Sequence, residues 1–126
     1  MTGPSLCPHA YVLAVHDLDS ETAYFIDVLG FSREWSEAGN WEGLIRGDVR
    51  VHLGRCPESL RVSELGDHSY FGFFATDDVE RLATELTAAR ARITSPPTDR
   101  PWGWREMGVV TPEGHRMKFA QRLKRT

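Results

Sequence analysis

Trp104, Glu106, Arg116 and Lys118 alternate along two short stretches near the end of the chain, separated by Thr111-Pro112-Glu113-Gly114. Pro presets φ at the second turn position and Gly tolerates a positive φ, so the stretch reads as a β-hairpin with strands from Trp104 to Val110 and from His115 to Gln121. Period-2 alternation puts Met107, Val109, Met117 and Phe119 on a core face, and an indole, a carboxylate, two cations and the space left by Gly108 on the other. That second face suits the wall of a cavity. Glu106 and Lys118 lie on neighbouring strands of it and can form an ion pair across a cleft. His52, in GDVRVHL, is the other candidate polar cavity group. The four tryptophans, Trp35, Trp41, Trp102 and Trp104, all precede or lie within strands expected to build the cleft, and Phe71 and Phe73 join them. Aromatic rings give rigid apolar area for stacking on a planar ligand, and each indole adds one N–H donor. The expected ligand-binding set is therefore Trp35, Trp41, His52, Phe71, Phe73, Trp102, Trp104, Glu106 and Lys118, with Trp41 and Trp104 at equivalent places in two halves of the molecule. No catalytic residue is assigned, because Ser and Cys lack His–Asp partners in a recognisable motif and no GxxxxGK[ST] or GxGxxG is present. His9, His16, His68 and His115 fall at turns or strand ends and read as solvated.

The elements that must carry these residues follow a repeated order. AYVLAV, residues 10–15, is a buried strand; Asp17 or Asp19 caps a helix through Leu29 with Ala23, Phe25, Ile26 and Leu29 as its apolar stripe, and Gly30 ends it. Strands follow over Phe31–Trp35, Trp41–Arg46 and Val49–Gly54. RCPESLRVSELGDHS is a connecting loop with room for one helical turn. Tyr70–Thr76 is then a strand with Phe71, Phe73 and Ala75 facing inward and Gly72 and Phe74 facing a helix. Asp77 or Asp78 caps that helix, which carries Val79, Leu82, Leu86 and Ala89 on one face. Ala91–Thr94 is a brief strand, the prolines of SPPTDRP read as a loop, and the hairpin closes the unit. Both halves are βαβββ. Residues 1–56 form the first module, 57–68 a linker and 69–126 the second, in one α+β structural domain. The letters repeat as well: Gly47–Leu53 lies opposite Glu113–Phe119, with Arg50 over Arg116.

The 126 residues carry a formal net charge of -3, with 40% hydrophobic and 26% charged positions, an ordinary balance for a globular protein with no footprint for nucleic acid. The basic terminal run Arg122, Lys124, Arg125 reads as a solvated end. No apolar run approaches the ~18 residues of a transmembrane helix and the start lacks a signal-peptide pattern, so no membrane partner and a cytoplasmic location are expected. Cys7 and Cys56 form no metal-type spacing and read as unpaired thiols.

VHDLDSETAYFIDVLGF, GDVRVHL, DDVERLATEL and WGWREMGVVTPEGHRMKF, in this order across residues 10–121, resemble the vicinal oxygen chelate superfamily of glyoxalases, extradiol dioxygenases and bleomycin resistance proteins. The resemblance implies two βαβββ modules whose mixed sheets curl around a cleft with helices on the outer face, commonly completed by dimerisation. It also implies a divalent metal held by His and Glu on the first and last strand of each module. Here the first-strand positions are Ala10 and Phe71, and the last-strand carboxylate of the second module is replaced by Lys118, a cation that repels metal. His9 is adjacent to Ala10 but on the opposite face by period 2, and His68 lies too far upstream.

Three functions compete. The first is a binding protein of bleomycin-resistance type that sequesters a planar, aromatic small molecule, cations included, such as an antibiotic or related metabolite, between two protomers without metal or other cofactor. The second is a metal-dependent glyoxalase- or dioxygenase-type enzyme with atypical ligands such as His9, His52 and Glu106. The third is a dimeric scaffold with a vestigial cleft.

Overall fold

Two strings of alternating apolar residues, each interrupted by one amphipathic helix, fold into two four-stranded mixed sheets in the computed structural model, which describes residues 3–66 and 68–124. In the first module β1 (Tyr11–Val15) is followed by α1 (Leu18–Ala23), which runs on as a π-helical turn over Tyr24–Val28, and then by β2 (Ser32–Glu37), β3 (Trp41–Arg46) and β4 (Val49–Arg55). The second repeats this with β5 (Tyr70–Ala75), α2 (Val79–Ala88), β6 (Arg92–Asp99), β7 (Trp104–Val110) and β8 (Arg116–Arg122). Strand orders are β1-β4-β3-β2 and β5-β8-β7-β6, with the first and last strand of each module parallel and the rest antiparallel. The fold is thus α+β with two βαβββ modules. Arg125, the end of the basic run, lies outside the described residues, as do Met1, Thr2, Asp67 and Thr126.

Local chemistry explains the boundaries. Asp17 caps α1 by accepting the Ser20 N–H at 3.0 Å, and Asp78 caps α2 by accepting that of Arg81 at 3.0 Å. The linker holds one 3₁₀ turn, Val62–Glu64. Two element boundaries differ from expectation. The helix does not run unbroken to Leu29: it widens at Tyr24–Val28, where the Tyr24 hydroxyl donates to Val110 O at 3.0 Å and accepts the Arg92 N–H at 2.9 Å in the other module. β6 does not stop at Thr94. It continues through Pro96 and Pro97 because it is an edge strand paired only with β7, and its register shifts on either side of Ser95 accommodate the missing N–H groups.

One core serves both modules: Leu13, Val15, Phe25, Leu44 and Leu53 from the first join Phe74, Leu86, Met107, Met117 and Phe119 from the second. On α1 the buried stripe includes Glu21 and Thr22, whereas Ala23 is exposed, because the helix also faces the β7–β8 turn. There Glu21 Oε1 accepts the Glu113 N–H at 3.0 Å, and the Glu113 carboxylate accepts the N–H groups of His16 and Asp17 at 2.7 Å each. His115, expected to be solvated, is only 5% exposed and its Nε2 lies 3.0 Å from Ala14 O.

Burial holds the Glu21 carboxyl above its ordinary value of 4.5, and it holds the His115 imidazole below 6.5. Folding therefore shifts Glu21 towards its protonated form and His115 towards its neutral form. Glu21 contributes stability that is full below pH 4.5 and is lost as pH rises through its folded value, whereas His115 contributes stability that is full above 6.5 and is lost as pH falls through its folded value. Glu21→Gln is expected to flatten the loss on the rising side and leave the acid-side loss in place. Urea unfolding from about pH 4 to about pH 8 measures this, and an unchanged pH profile in the variant would contradict it.

Candidate functional site

Each sheet has one face on the core and helix and one face turned away from both; the second faces carry Trp35 and Trp41 on one sheet and Phe73 and Trp104 on the other. In the first module Gly43 on β3 stands beside His52 on β4 and Trp35 on β2. The missing side chain has a direct use: a Cβ at Gly43 would collide with the Trp35 indole, which lies across it. Trp35 meets His52 edge to face with centroids 4.9 Å apart, and the Trp41 ring lies over Gly54 in the same way. His9 packs on the other side of His52 at 5.9 Å. It was expected on the opposite face, but it precedes β1, where strand alternation no longer governs direction. The His52 Nε2 atom is buried with no hydrogen-bond partner among the described residues.

In the second module Phe73, Lys118 and Gly108 form one row across β5, β8 and β7, and Ala75, Ala120 and Glu106 the next. Phe73 and Trp104 meet edge to face at 5.3 Å, with the fully buried Ala120 on the strand between them. The Arg122 guanidinium lies 5.6 Å from the Trp104 ring centroid, and the Lys118 ammonium 5.8 Å from that of Tyr70. Glu106, only 5% exposed, does not pair with Lys118. Its Oε2 accepts the Trp102 Nε1–H at 2.6 Å, because Trp102 reaches back from the β6–β7 loop while Lys118 stands opposite a glycine.

The row positions fix the equivalences between modules. Gly43 with His52 matches Gly108 with Lys118, as the repeat in the letters implies. Trp41, opposite Gly54, matches Glu106, opposite Ala120; Trp104 stands opposite Arg122 and is not its counterpart. Phe71 also departs from expectation. A register shift between Tyr70 and Gly72 turns it to the core side, where it packs on Tyr11, Phe74 and His115. Tyr70 and Arg122 were missed, and the signal for Arg122 was present: it continues the alternation of Arg116 and Lys118 two residues past Ala120, beyond where the strand was expected to end. A separate cavity of about 340 Å³ lies at the seam of β1, β5 and the linker, lined by Val12, Leu60, Val62, Tyr70, Phe71 and Arg116 among others.

Residues 8–119 match the model of the Glyoxalase/Bleomycin resistance protein/Dioxygenase superfamily. The chain belongs to this superfamily. Among solved structures it is similar to TioX from Micromonospora sp. ML1, at 29% identity over 93% of this chain and 100% of that one, with a TM-score of 0.74. Two others share the fold: a bleomycin resistance determinant encoded on the transposon Tn5 (22% identity, 93% and 98% covered, TM-score 0.75) and TnmS3, an antibiotic binding protein from Streptomyces sp. CB03234 (18%, 94% and 99%, 0.72). No curated protein matches the sequence.

The metal that this superfamily's enzymes hold does not fit the residues present. His9 and His52 are neighbours, but Glu106 lies on the other sheet against Trp102, and no group of three His, Cys, Asp or Glu side chains is suitably placed among the described residues. Two imidazoles fall short of the three protein ligands a catalytic divalent site uses. The ammonium of Lys118 stands where the second module would need a carboxylate.

Proposed function

We propose that the chain is a small-molecule-binding protein of bleomycin-resistance type that sequesters a planar, aromatic ligand, an antibiotic or related metabolite, without metal chemistry. The observation that carries this reading is the pair of aromatic faces turned away from the core, Trp35 with Trp41 on one sheet and Phe73 with Trp104 on the other. They are rich in stacking surface, and among the described residues no group of three His, Cys, Asp or Glu side chains is placed to hold a metal. Sequestration requires affinity alone. Two fold neighbours, an antibiotic binding protein and a bleomycin-binding protein complexed with bleomycin, support a role of this class.

Each face is half of a cavity. Trp35, Trp41 and Phe73 are exposed in the single chain, and 37–41% of their surface would otherwise remain in water. A homodimer that sets the first sheet of one protomer against the second sheet of its partner would cover them and enclose the ligand. No helix of the described residues is long and apolar enough to cross a membrane, and both cysteines are free, which suits a reducing cytoplasm.

Native mass spectrometry of protein taken directly from its expressing host tests the reading in one measurement. The expected species is a dimer without stoichiometric metal that takes up a planar aromatic ligand. One zinc, iron, nickel or manganese per chain would favour the His9–His52 pair as the start of an enzyme site, and a monomer at micromolar concentration would leave the cavity half-walled.

A further inference from the structure

Among the charged residues of the second module's ligand-facing wall, β8 contributes Arg116, Lys118 and Arg122 to one side of the sheet, and none of the three forms an ion pair among the described residues. Arg116 is already used, since its guanidinium donates to Leu65 O at 3.2 Å and Gly66 O at 2.8 Å. Lys118 and Arg122 rest on aromatic rings, Tyr70 and Trp104. A cation over a solvent-accessible ring makes a weak contact, which a charge-assisted hydrogen bond to an anion readily displaces. The one carboxylate on this wall, Glu106, has its Oε2 bound by Trp102. Opposite Lys118 stands Gly108, over which the ammonium lies beside the Thr94 and Ser95 side chains, so any side chain at position 108 would crowd it.

We infer that the ligand is a planar aromatic anion, a ring system bearing a carboxylate or an acidic phenol, whose charge is received by Lys118, with Arg122 further along the same face of β8, while its ring stacks on the Phe73–Trp104 pair. The inference rests on the binding reading above and adds the sign of the ligand's charge, which the sequence left open and tilted towards a cation. Steric and electrostatic details agree. The Lys118 ammonium and the Phe73 ring issue from directly paired positions of β5 and β8, so ring and charge of one small molecule can be held together. A single-stranded nucleic acid also combines anions with planar rings. The chain's net charge of -3 and the shortness of the wall that carries Lys118 and Arg122 favour the small molecule.

Isothermal titration calorimetry with three probes of one shape decides the matter: 2-naphthoate, 2-naphthamide and 2-naphthylmethylammonium. Naphthoate is expected to bind about fivefold or more tightly than the amide, and the ammonium more weakly than either. Lys118→Gln should remove most of the naphthoate advantage and leave amide binding within about twofold, and added salt should weaken only the naphthoate. Equal affinity for all three probes, or a preference for the ammonium, overturns the anion while leaving the binding reading intact. No binding of any probe overturns both. Tighter binding of a short oligothymidylate than of naphthoate, lost in Lys118→Gln, would replace the small molecule by a nucleic acid.

Discussion

Glu113→Ala is expected to lower the free energy of unfolding by about 2 kcal/mol, which is large against the stability of a small domain. Glu113 sits in the β7–β8 turn of the second module, yet both of its carboxylate oxygens serve the first. They accept the His16 and Asp17 N–H groups at 2.7 Å, where the chain leaves β1 and enters α1. Hydrogen bonds to an ionised group contribute about 1.5–3 kcal/mol each, and the solvent access of the Asp17 N–H places its bond at the low end. One opposing effect reduces the total. Glu113 and Glu21 repel each other, and that repulsion disappears with the charge. Glu113→Gln keeps one acceptor oxygen and should lose roughly half as much. Urea denaturation curves of the two variants beside the parent protein measure the order. An alanine variant within about 0.5 kcal/mol of the parent would show that the turn is held by its backbone alone, through the Thr111 N–H to His115 O and Gly114 N–H to Thr111 O bonds at 2.9 Å.

This lock was not legible in the letters, whereas the elements it joins were. β7 was expected over Trp104–Val110 and has those bounds, because seven residues of clean alternation end on a Thr-Pro-Glu-Gly turn whose glycine needs a positive φ, here 97°. Repeat and module order were legible for the same reason: period and turn chemistry are local. What failed depends on contacts far apart in the chain. Glu21 looked like an ordinary first-turn acid, and nothing within α1 marks it as the acceptor for a backbone group 92 residues away. Pro96 and Pro97 argued for a loop, and only the knowledge that β6 is an edge strand makes them tolerable. At the site, alternation placed Phe73, Gly108 and Lys118 on one face, but it mispointed Phe71 at a register shift and His9 ahead of its strand, where alternation carries no information. Side-chain partners were least legible of all. Two opposite charges on adjacent strands suggested an ion pair, and Trp102, four residues before Glu106 in the loop that leads into β7, took the carboxylate instead.

Trp104→Ala should weaken binding of a planar aromatic ligand by about 1–3 kcal/mol, equivalent to roughly 5- to 150-fold in Kd, with a much smaller effect on folding. The separation follows from where the ring lies. Trp104 is half-buried on the face of β7 turned away from the core, and its neighbours are the exposed Phe73 at 5.3 Å and the Arg122 guanidinium at 5.6 Å. The core on the opposite face is built by Met107 and Val109 and does not include it. Truncation therefore removes a stacking surface and unpins both Phe73 and Arg122, so the loss at the site exceeds that of one ring contact while the core keeps its packing. Trp102 provides the contrast. It is 64% exposed and its indole N–H is committed to Glu106, so Trp102→Ala should act mainly by leaving the buried carboxylate without its donor. Titration of both variants with 2-naphthoate, together with their thermal unfolding, separates the roles. A Trp104→Ala protein that binds the probe as the parent does would move the site to the other sheet, onto Trp35 and His52. One that no longer folds would show that the Phe73–Trp104 pair is structural, and the second module's wall would lose its claim to the ligand.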